Sequence, residues 1–172
     1  MSFWIHAFCH QSVATVTPDD LKAGIAKRLK LLTYLFCPED EEDPDQVLSR
    51  LRIENRSADN SFGEFLLYYR QDSAAFIHVG RYGPEAVDEL EESLQSRRDA
   101  KGIGQIRQML AGVKEDVSFD LKASDARGMG FPLAIAGAAY LVEQAGGLIQ
   151  SGTYTWMVPD GAEVRILLEL KG

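Results

Sequence analysis

The first residues of the chain alternate in a way that is typical of a strand buried on both faces. One side of residues 2–9 carries Phe3, Ile5, Ala7 and Cys9, and the other carries Trp4, His6 and Phe8. Successive side chains of a strand point to opposite faces of its sheet, so apolar residues on both sides indicate cover on both sides. We therefore predict an interior strand at the amino terminus.

A helical pattern follows this strand. Thr17 can cap a helix whose first turn contains Pro18 and Asp19, which suit the fixed backbone angle and the positive end of the helix dipole. The apolar stripe of this helix consists of Leu21, Ile25, Leu29, Leu32 and Phe36. Outside the stripe, and predicted to stay in water, are Lys22, Lys27, Arg28 and Lys30. Further along, Asp43 and Pro44 begin a shorter helix.

The rest of the chain predicts further strands and helices. EFLLYYR and AAFIHVGRY, separated by the polar turn QDS, predict a hairpin, and PEAVDELEESLQSRR and IGQIRQMLAGV predict two helices. DVSFDLK alternates as a strand and leads to another helix, which ends at Gly146 and Gly147. LIQSGTYTWMV then predicts a bent strand and AEVRILLEL a final one. The apolar residues that the final strand places on one face are Val164, Ile166, Leu168 and Leu170.

These elements predict a single α+β domain over residues 1–172, with a mixed, largely antiparallel sheet packed with helices. Residues 2–81 and 116–170 each give the order strand, helical segment, strand, strand. This order fits a duplicated βαββ plan, and it fits equally one sheet without internal symmetry. In either case we expect one sheet core to contain Phe3, Ile5, Val117, Phe119, Ile166 and Leu168.

Composition and charge narrow the choice of partner. The 172 residues carry 18 basic and 26 acidic side chains, a formal net charge of −8, which repels phosphate backbones and disfavours a nucleic-acid role. Part of the acidity lies in one run between Pro38 and Pro44. This run is either a solvated loop or a docking site for a basic protein partner. The candidate partner-binding residues are Glu39, Asp40, Glu41, Glu42 and Asp43.

Cysteine usage and hydropathy indicate a cytoplasmic location. Cys9 and Cys37 belong to no CxxC motif, so we expect two unlinked thiols. The amino terminus lacks the basic region and the cleavage site of a secretory signal. The longest apolar run, Phe131 to Val142, is shorter than the roughly 20 residues that a membrane-spanning helix needs. We therefore expect no membrane partner.

The stretch SDARGMGFP is the main candidate for ligand chemistry. A helix that starts after it exposes unpaired amides, and a small anion could bind there with Asp125, Arg127, Gly128 and Gly130 as its ligand-binding residues. The stretch matches neither GxxxxGK[ST] nor GxGxxG. In the alternative interpretation the glycines only turn the chain and Pro132 fixes the first helical turn.

No other motif points to catalysis. His6, His10 and His78 have no metal-ligand spacing, and neither cysteine nor any serine has the setting of a catalytic nucleophile, so we predict no metal and no cofactor. The sequence favours a cytoplasmic binding or inhibitor-like protein that acts through an acidic surface, as an immunity protein or antitoxin acts on a basic enzyme. The alternative is a small-molecule enzyme or anion-binding domain that uses the Asp125/Arg127 turn.

Overall fold

A computed structural model of the chain describes residues 2–39, 42–71, 76–97, 101–152 and 155–170. The strands in these ranges are β1 (Ser2–Cys9), β2 (Arg52–Asn55), β3 (Glu64–Tyr68), β4 (Phe76–Tyr82), β5 (Glu115–Lys122), β6 (Gly147–Ser151), β7 (Thr155–Asp160) and β8 (Glu163–Glu169). The helices are α1 (Pro18–Ala26), α2 (Leu29–Phe36), α3 (Pro44–Arg50), α4 (Glu85–Gln95), α5 (Ile103–Leu110), α6 (Ala123–Ala126) and α7 (Gly130–Ala145). The predicted α+β class is confirmed.

All eight strands form one sheet in the order β2-β3-β4-β5-β1-β6-β7-β8, and every neighbouring pair is antiparallel. β1 pairs with β5 on one side and β6 on the other, so the predicted interior strand is confirmed, although the expected cover on both faces is incomplete because Trp4 is 51% exposed. Each half of the chain supplies one strand to the central β5–β1 pair and three strands to one flank. Each half thus contains one strand more than the βαββ plan has. The origin of the chain by duplication stays a prediction.

The first face of the sheet is covered by α1, α2, α3 and α7, which enclose the larger core. Thr17 caps α1 as predicted, with its side chain accepting a hydrogen bond from the Asp20 amide at 3.1 Å. α7 packs closely against β5 at Gly137, which has no side chain, and a Cβ there would lie 2.8 Å from the Phe119 ring. The small residues of α7 therefore serve close packing. No helix in the described ranges is long and apolar enough to cross a membrane.

The second face is covered only in part. α4 and α5 enclose a smaller core over β1, β6, β7 and β8, which contains Phe8, Leu148, Trp156 and Leu168. The side chains that β2, β3, β4 and β5 present on this second face belong to neither core cluster. We call this uncovered part, together with the adjacent end of β1, the open face.

Two details of the fold differ from what the sequence pattern predicts. The first predicted helix is divided into α1 and α2 at Lys27 and Arg28, and Arg28 is buried instead of solvated. Its guanidinium donates to the Gly24 carbonyl at 3.0 Å and forms an ion pair with Glu143 of α7. An arginine can therefore occupy this buried position because its charge and two of its nitrogens have partners.

The second difference is in β8. Val164 lies in the larger core and Leu168 in the smaller core, on opposite faces, whereas Ile166 is 49% exposed. A β-bulge shifts the register between Trp156 and Met157, which breaks the alternation of the facing strand. The prediction that Ile166 and Leu168 share one core with Phe119 was therefore wrong.

Candidate functional site

The open face combines exposed aromatic rings with titratable groups. Strand pairing places His6 opposite Ser118, and Asp120 opposite both Trp4 and His78. The outward residues that define the centre of the face are Trp4, His6, His78, Tyr82, Ser118 and Asp120. Trp4 is 51% exposed and Tyr82 is 54% exposed. Large aromatic side chains in this state are enriched where proteins bind other molecules.

Two histidines of this face are hydrogen-bonded to carboxylates. His6 Nδ1 lies 3.0 Å from Oδ1 of Asp116, which is buried, and the imidazole stacks on Phe8 with 5.4 Å between ring centroids. Because an ionised carboxylate only accepts, Nδ1 carries a hydrogen, and in the neutral ring Nε2 is then left as an acceptor. His78 Nε2 lies 2.8 Å from Oε1 of Glu64 in the same manner. The face therefore contains two oriented imidazoles.

The aromatic rings of the open face already bind cations of the chain itself. The guanidinium carbon of Arg52 lies 4.4 Å from the centroid of the Tyr68 ring, and Lys122 Nζ lies 5.6 Å from that of Phe76. These distances are in the range of cation–π attraction. In the described part of the chain no basic group lies over the Trp4 ring. Trp4 is thus an exposed ring of the same type without a cationic partner among the described residues.

A cleft separates the open face from α4, and we call it the β1–α4 cleft. It has a volume of about 670 Å³, and its walls include Trp4, His6, Leu90 and Gln150. Phe3 and Phe131 contribute to it from the end of the sheet. Neither lysine nor arginine occurs among the described residues that line it. Asp116 lies behind His6, so a carboxylate stands next to this wall of the cleft.

The helix that borders the cleft is acidic on its outer side. α4 contains no lysine or arginine, and its exposed carboxylates are Glu85, Asp88, Glu89 and Glu92. Leu90 of the same helix lines the cleft, while Val87 and Leu94 are buried in the smaller core. One short helix thus closes the core, forms a cleft wall and presents a row of negative charges. The sequence showed the acids but not their position beside an aromatic cleft.

The acidic run that the sequence proposed for partner binding has identifiable local roles. Glu42 forms an ion pair with Arg50, and Asp43 caps α3 by accepting from the Asp45 amide at 3.1 Å. Glu39 is exposed. Asp40 and Glu41 lie outside the described residues. The partner-binding role of this run stays a prediction.

The Asp125/Arg127 turn is built around a buried carboxylate. Asp125 is fully buried in α6, where it accepts a hydrogen bond from the Tyr69 hydroxyl and lies 3.0 Å from the Arg70 guanidinium. Burial and this hydrogen bond raise the pKa of Tyr69 above its usual range. The cluster joins the end of β3 to the start of α7. Tyr69 and Arg70 were not anticipated, because neighbours so distant in sequence leave no local signal.

The other residues of the turn are arranged around this cluster. Gly130 begins α7, and a Cβ there would lie 2.7 Å from the Asp125 carbonyl oxygen and 2.9 Å from the Tyr69 hydroxyl. Arg127 is exposed. Gly128 lines a cavity of about 450 Å³ beside Tyr69, Arg70 and Arg50, and neither Arg127 nor a histidine is among the described residues that line it. The proposed anion ligands therefore do not converge on one point.

The remaining candidate residues, His10, Cys9 and Cys37, have the surroundings of residues that support the fold. His10 donates from Nε2 to the Met109 carbonyl at 2.7 Å. Cys9 is buried, and burial raises the pKa of its thiol to about 12. Cys9 and Cys37, both among the described residues, are not joined by a disulfide. In the described ranges no group of three His, Cys, Asp or Glu residues could hold a metal ion.

Comparison with known proteins adds no relative. No protein-family model, no curated protein and no solved structure matches the chain.

Proposed function

We propose that this chain is a cytoplasmic binding or inhibitor-like protein that docks a basic protein partner on the open face and α4. The observation that carries the proposal is the β1–α4 cleft, which is lined by the half-exposed Trp4, by His6 of the His6–Asp116 pair and by Leu90 of an acidic helix. No positive side chain of the described chain lines this cleft. A cationic group is the chemistry that these surroundings favour.

The cleft supports the binding of a lysine or arginine from the partner. The ring of Trp4 attracts a cation through its π-electrons, and Gln150 and the Nε2 atom of His6 can accept hydrogen bonds from it. The exposed carboxylates of α4 lie on the helix that contributes Leu90 to the cleft, and their charge raises the rate of encounter with a positive surface. The aromatic anchor then supplies affinity, and the charges supply selection among partners.

The alternative function, an anion site at the Asp125/Arg127 turn, has less support. Asp125 is occupied by Tyr69 and Arg70, and Arg70 and Arg50 of the nearby cavity are paired with carboxylates. An arriving anion would compete with both carboxylates. Arg127 is the one positive residue of the predicted set, and its exposed side chain does not line the nearby cavity.

Affinity capture with matched variants tests the proposal. The immobilised chain is exposed to lysate of its source cells as the parent, as Trp4→Ala, as the triple variant Glu85→Lys/Glu89→Lys/Glu92→Lys, and as Tyr34→Ala. Tyr34 is the control because it is an aromatic residue of α2, 78% exposed and remote from the open face. Retained proteins are identified by mass spectrometry, and one of them is then purified for titration.

We expect a basic protein that the parent and Tyr34→Ala retain and that both other variants lose. In titration, Trp4→Ala should weaken binding by about 30-fold, as loss of a central aromatic anchor does. Binding should also weaken with added salt, because the α4 carboxylates are screened. Retention of the same partners by the parent and by both open-face variants would contradict the proposal.

A further inference from the structure

A second surface, remote from the open face, consists of the outer side of α2. Leu31, Tyr34 and Leu35 are 44%, 78% and 53% exposed, and their spacing of three and four positions puts them on one side of the helix. The opposite side of α2 is buried in the larger core through Leu29 and Leu32. α2 is thus apolar on both sides, although only one side is covered. Contiguous exposed apolar residues of this kind mark interaction sites.

The charges at the two ends of this surface are opposite. Lys27 and Lys30 are exposed near the start of α2, and Glu39 is exposed after its end. The apolar residues lie between them. A surface with positive, apolar and negative sections in this order is complementary to a copy of itself that runs in the opposite direction.

The ends of α2 also lack the charges that helices usually have. α2 has no acidic residue in its first turn and no basic residue in its last turn, and its N-cap residue Arg28 makes no side-chain capping hydrogen bond. The positive end of its dipole therefore has no negative partner within the helix, and the negative end has no positive one. An antiparallel second helix would bring a carboxylate to the first end and an ammonium group to the second.

We propose that a second copy of this chain covers this surface, with the two α2 helices antiparallel about a twofold axis at the level of Thr33. In this register Leu31 faces Leu35 of the second copy, and Lys27 faces Glu39 of the second copy. Each contact occurs twice because the axis relates the two chains. The outer side of α2 becomes the centre of an isologous interface, and its charged ends become the rim.

The size of the surface sets the strength of the dimer. A stable interface buries roughly 800 Å² on each partner, which is close to a tenth of the 9129 Å² that this chain exposes. Three apolar side chains supply only part of that area. The dimer should therefore dissociate on dilution, and it should form in the micromolar range or above.

Sedimentation velocity of the full chain from about 1 µM to about 1 mM tests the proposal directly. We expect the mass to rise from 19.1 kDa toward twice that value across the series. Leu35→Asp should keep the chain monomeric throughout, because it places a charge in the centre of the interface. Tyr82→Ala, which removes an exposed aromatic ring from the open face, should associate as the parent does.

A charge exchange tests the register. Lys27→Glu and Glu39→Lys should each weaken association, on the order of fivefold, because each creates two like-charge pairs per dimer. The double variant Lys27→Glu/Glu39→Lys should restore the parental affinity. All these residues are exposed, and thermal unfolding followed by circular dichroism confirms that each variant is folded. A parent that stays monomeric at every concentration, a Leu35→Asp variant that dimerises, or a double variant that is not restored would overturn the proposal.

Discussion

Asp116 of β5 lies diagonally across from His6 of β1, and their side chains meet with 3.0 Å between Oδ1 and Nδ1. Asp116 is buried, whereas His6 is at the wall of the β1–α4 cleft. The carboxylate therefore fixes the ring orientation, and in the neutral ring it leaves Nε2 as the acceptor. This pair gives the wall of the cleft a defined polarity, on which the proposed recognition of a cation depends.

Removal of the Asp116 carboxylate should change the hydrogen bonding of the His6 ring and leave the His78 ring as it is. In Asp116→Ala the Nδ1–H of His6 loses its acceptor, so the imidazole should redistribute its proton between the two nitrogens. Two-dimensional ¹⁵N spectra of the histidine rings report this change. Glu64→Ala is the matched control, because it should change His78 and leave His6 as it is. An unaltered His6 spectrum in Asp116→Ala would show that the hydrogen bond does not set the tautomer.

The Asp125/Arg127 turn should be sensitive at its buried glycine and insensitive at its arginine. Gly130→Val places new atoms against the Asp125 carbonyl and the Tyr69 hydroxyl, and we expect it to lower the free energy of unfolding by about 1–3 kcal/mol. Arg127→Ala should change it by less than about 0.5 kcal/mol, because the side chain is exposed. Urea unfolding measures both. Equal losses in the two variants would contradict this description of the turn.

Alkaline pH should destabilise the chain through Cys9. Its pKa is raised from an ordinary value of 9.0 to about 12 by burial and, to a smaller extent, by Glu115 and Asp116. The folded state therefore keeps a proton that the unfolded state loses, and the free energy of unfolding should fall by about 1 kcal/mol per pH unit above pH 9. Below pH 9 this contribution is fully present. Cys9→Ala should give a flatter dependence between pH 9 and 10, measured by urea unfolding, and an identical slope would contradict the assignment.

Because of the bulge in β8, truncation of two apolar residues of this strand should lower the free energy of unfolding by different amounts. Leu168 is buried in the smaller core, so Leu168→Ala should cost about 2–3 kcal/mol of unfolding free energy. Ile166 is half exposed, so Ile166→Ala should cost less than about 1 kcal/mol. Thermal or urea unfolding of the two variants provides the test. Comparable costs would mean that both side chains lie in a core.

The sequence predicted the helices and strands more reliably than the contacts between them. The position of β1 inside the sheet followed from apolar residues on both of its sides. The burial of Arg28 could not be predicted, because its partner Glu143 lies on a helix more than a hundred residues away. The exposure of Ile166 was missed because alternation assumes a regular strand, and the bulge is a property of the paired strands.

The candidate site likewise depends on contacts between residues that are distant in the sequence. Alternation alone places Trp4 and His6 on one side of β1. It does not say that Asp116 pairs diagonally with His6, or that Leu90 of α4 forms the facing wall. The register of β1 against β5 and the placement of α4 decide both, and neither leaves a pattern in the sequence.

Site-specific photo-crosslinking in the source cells tests the proposed binding surface most directly. A photoreactive phenylalanine replaces Tyr82 on the open face in one strain and Tyr34 on α2 in the other, since both side chains are exposed aromatics. We predict a crosslink from position 82 to a basic protein, which is lost when Trp4→Ala is added, and no crosslink to that protein from position 34. A crosslink to the same protein from both positions, or none from position 82 to any basic protein, would contradict the proposal that the open face binds a basic partner.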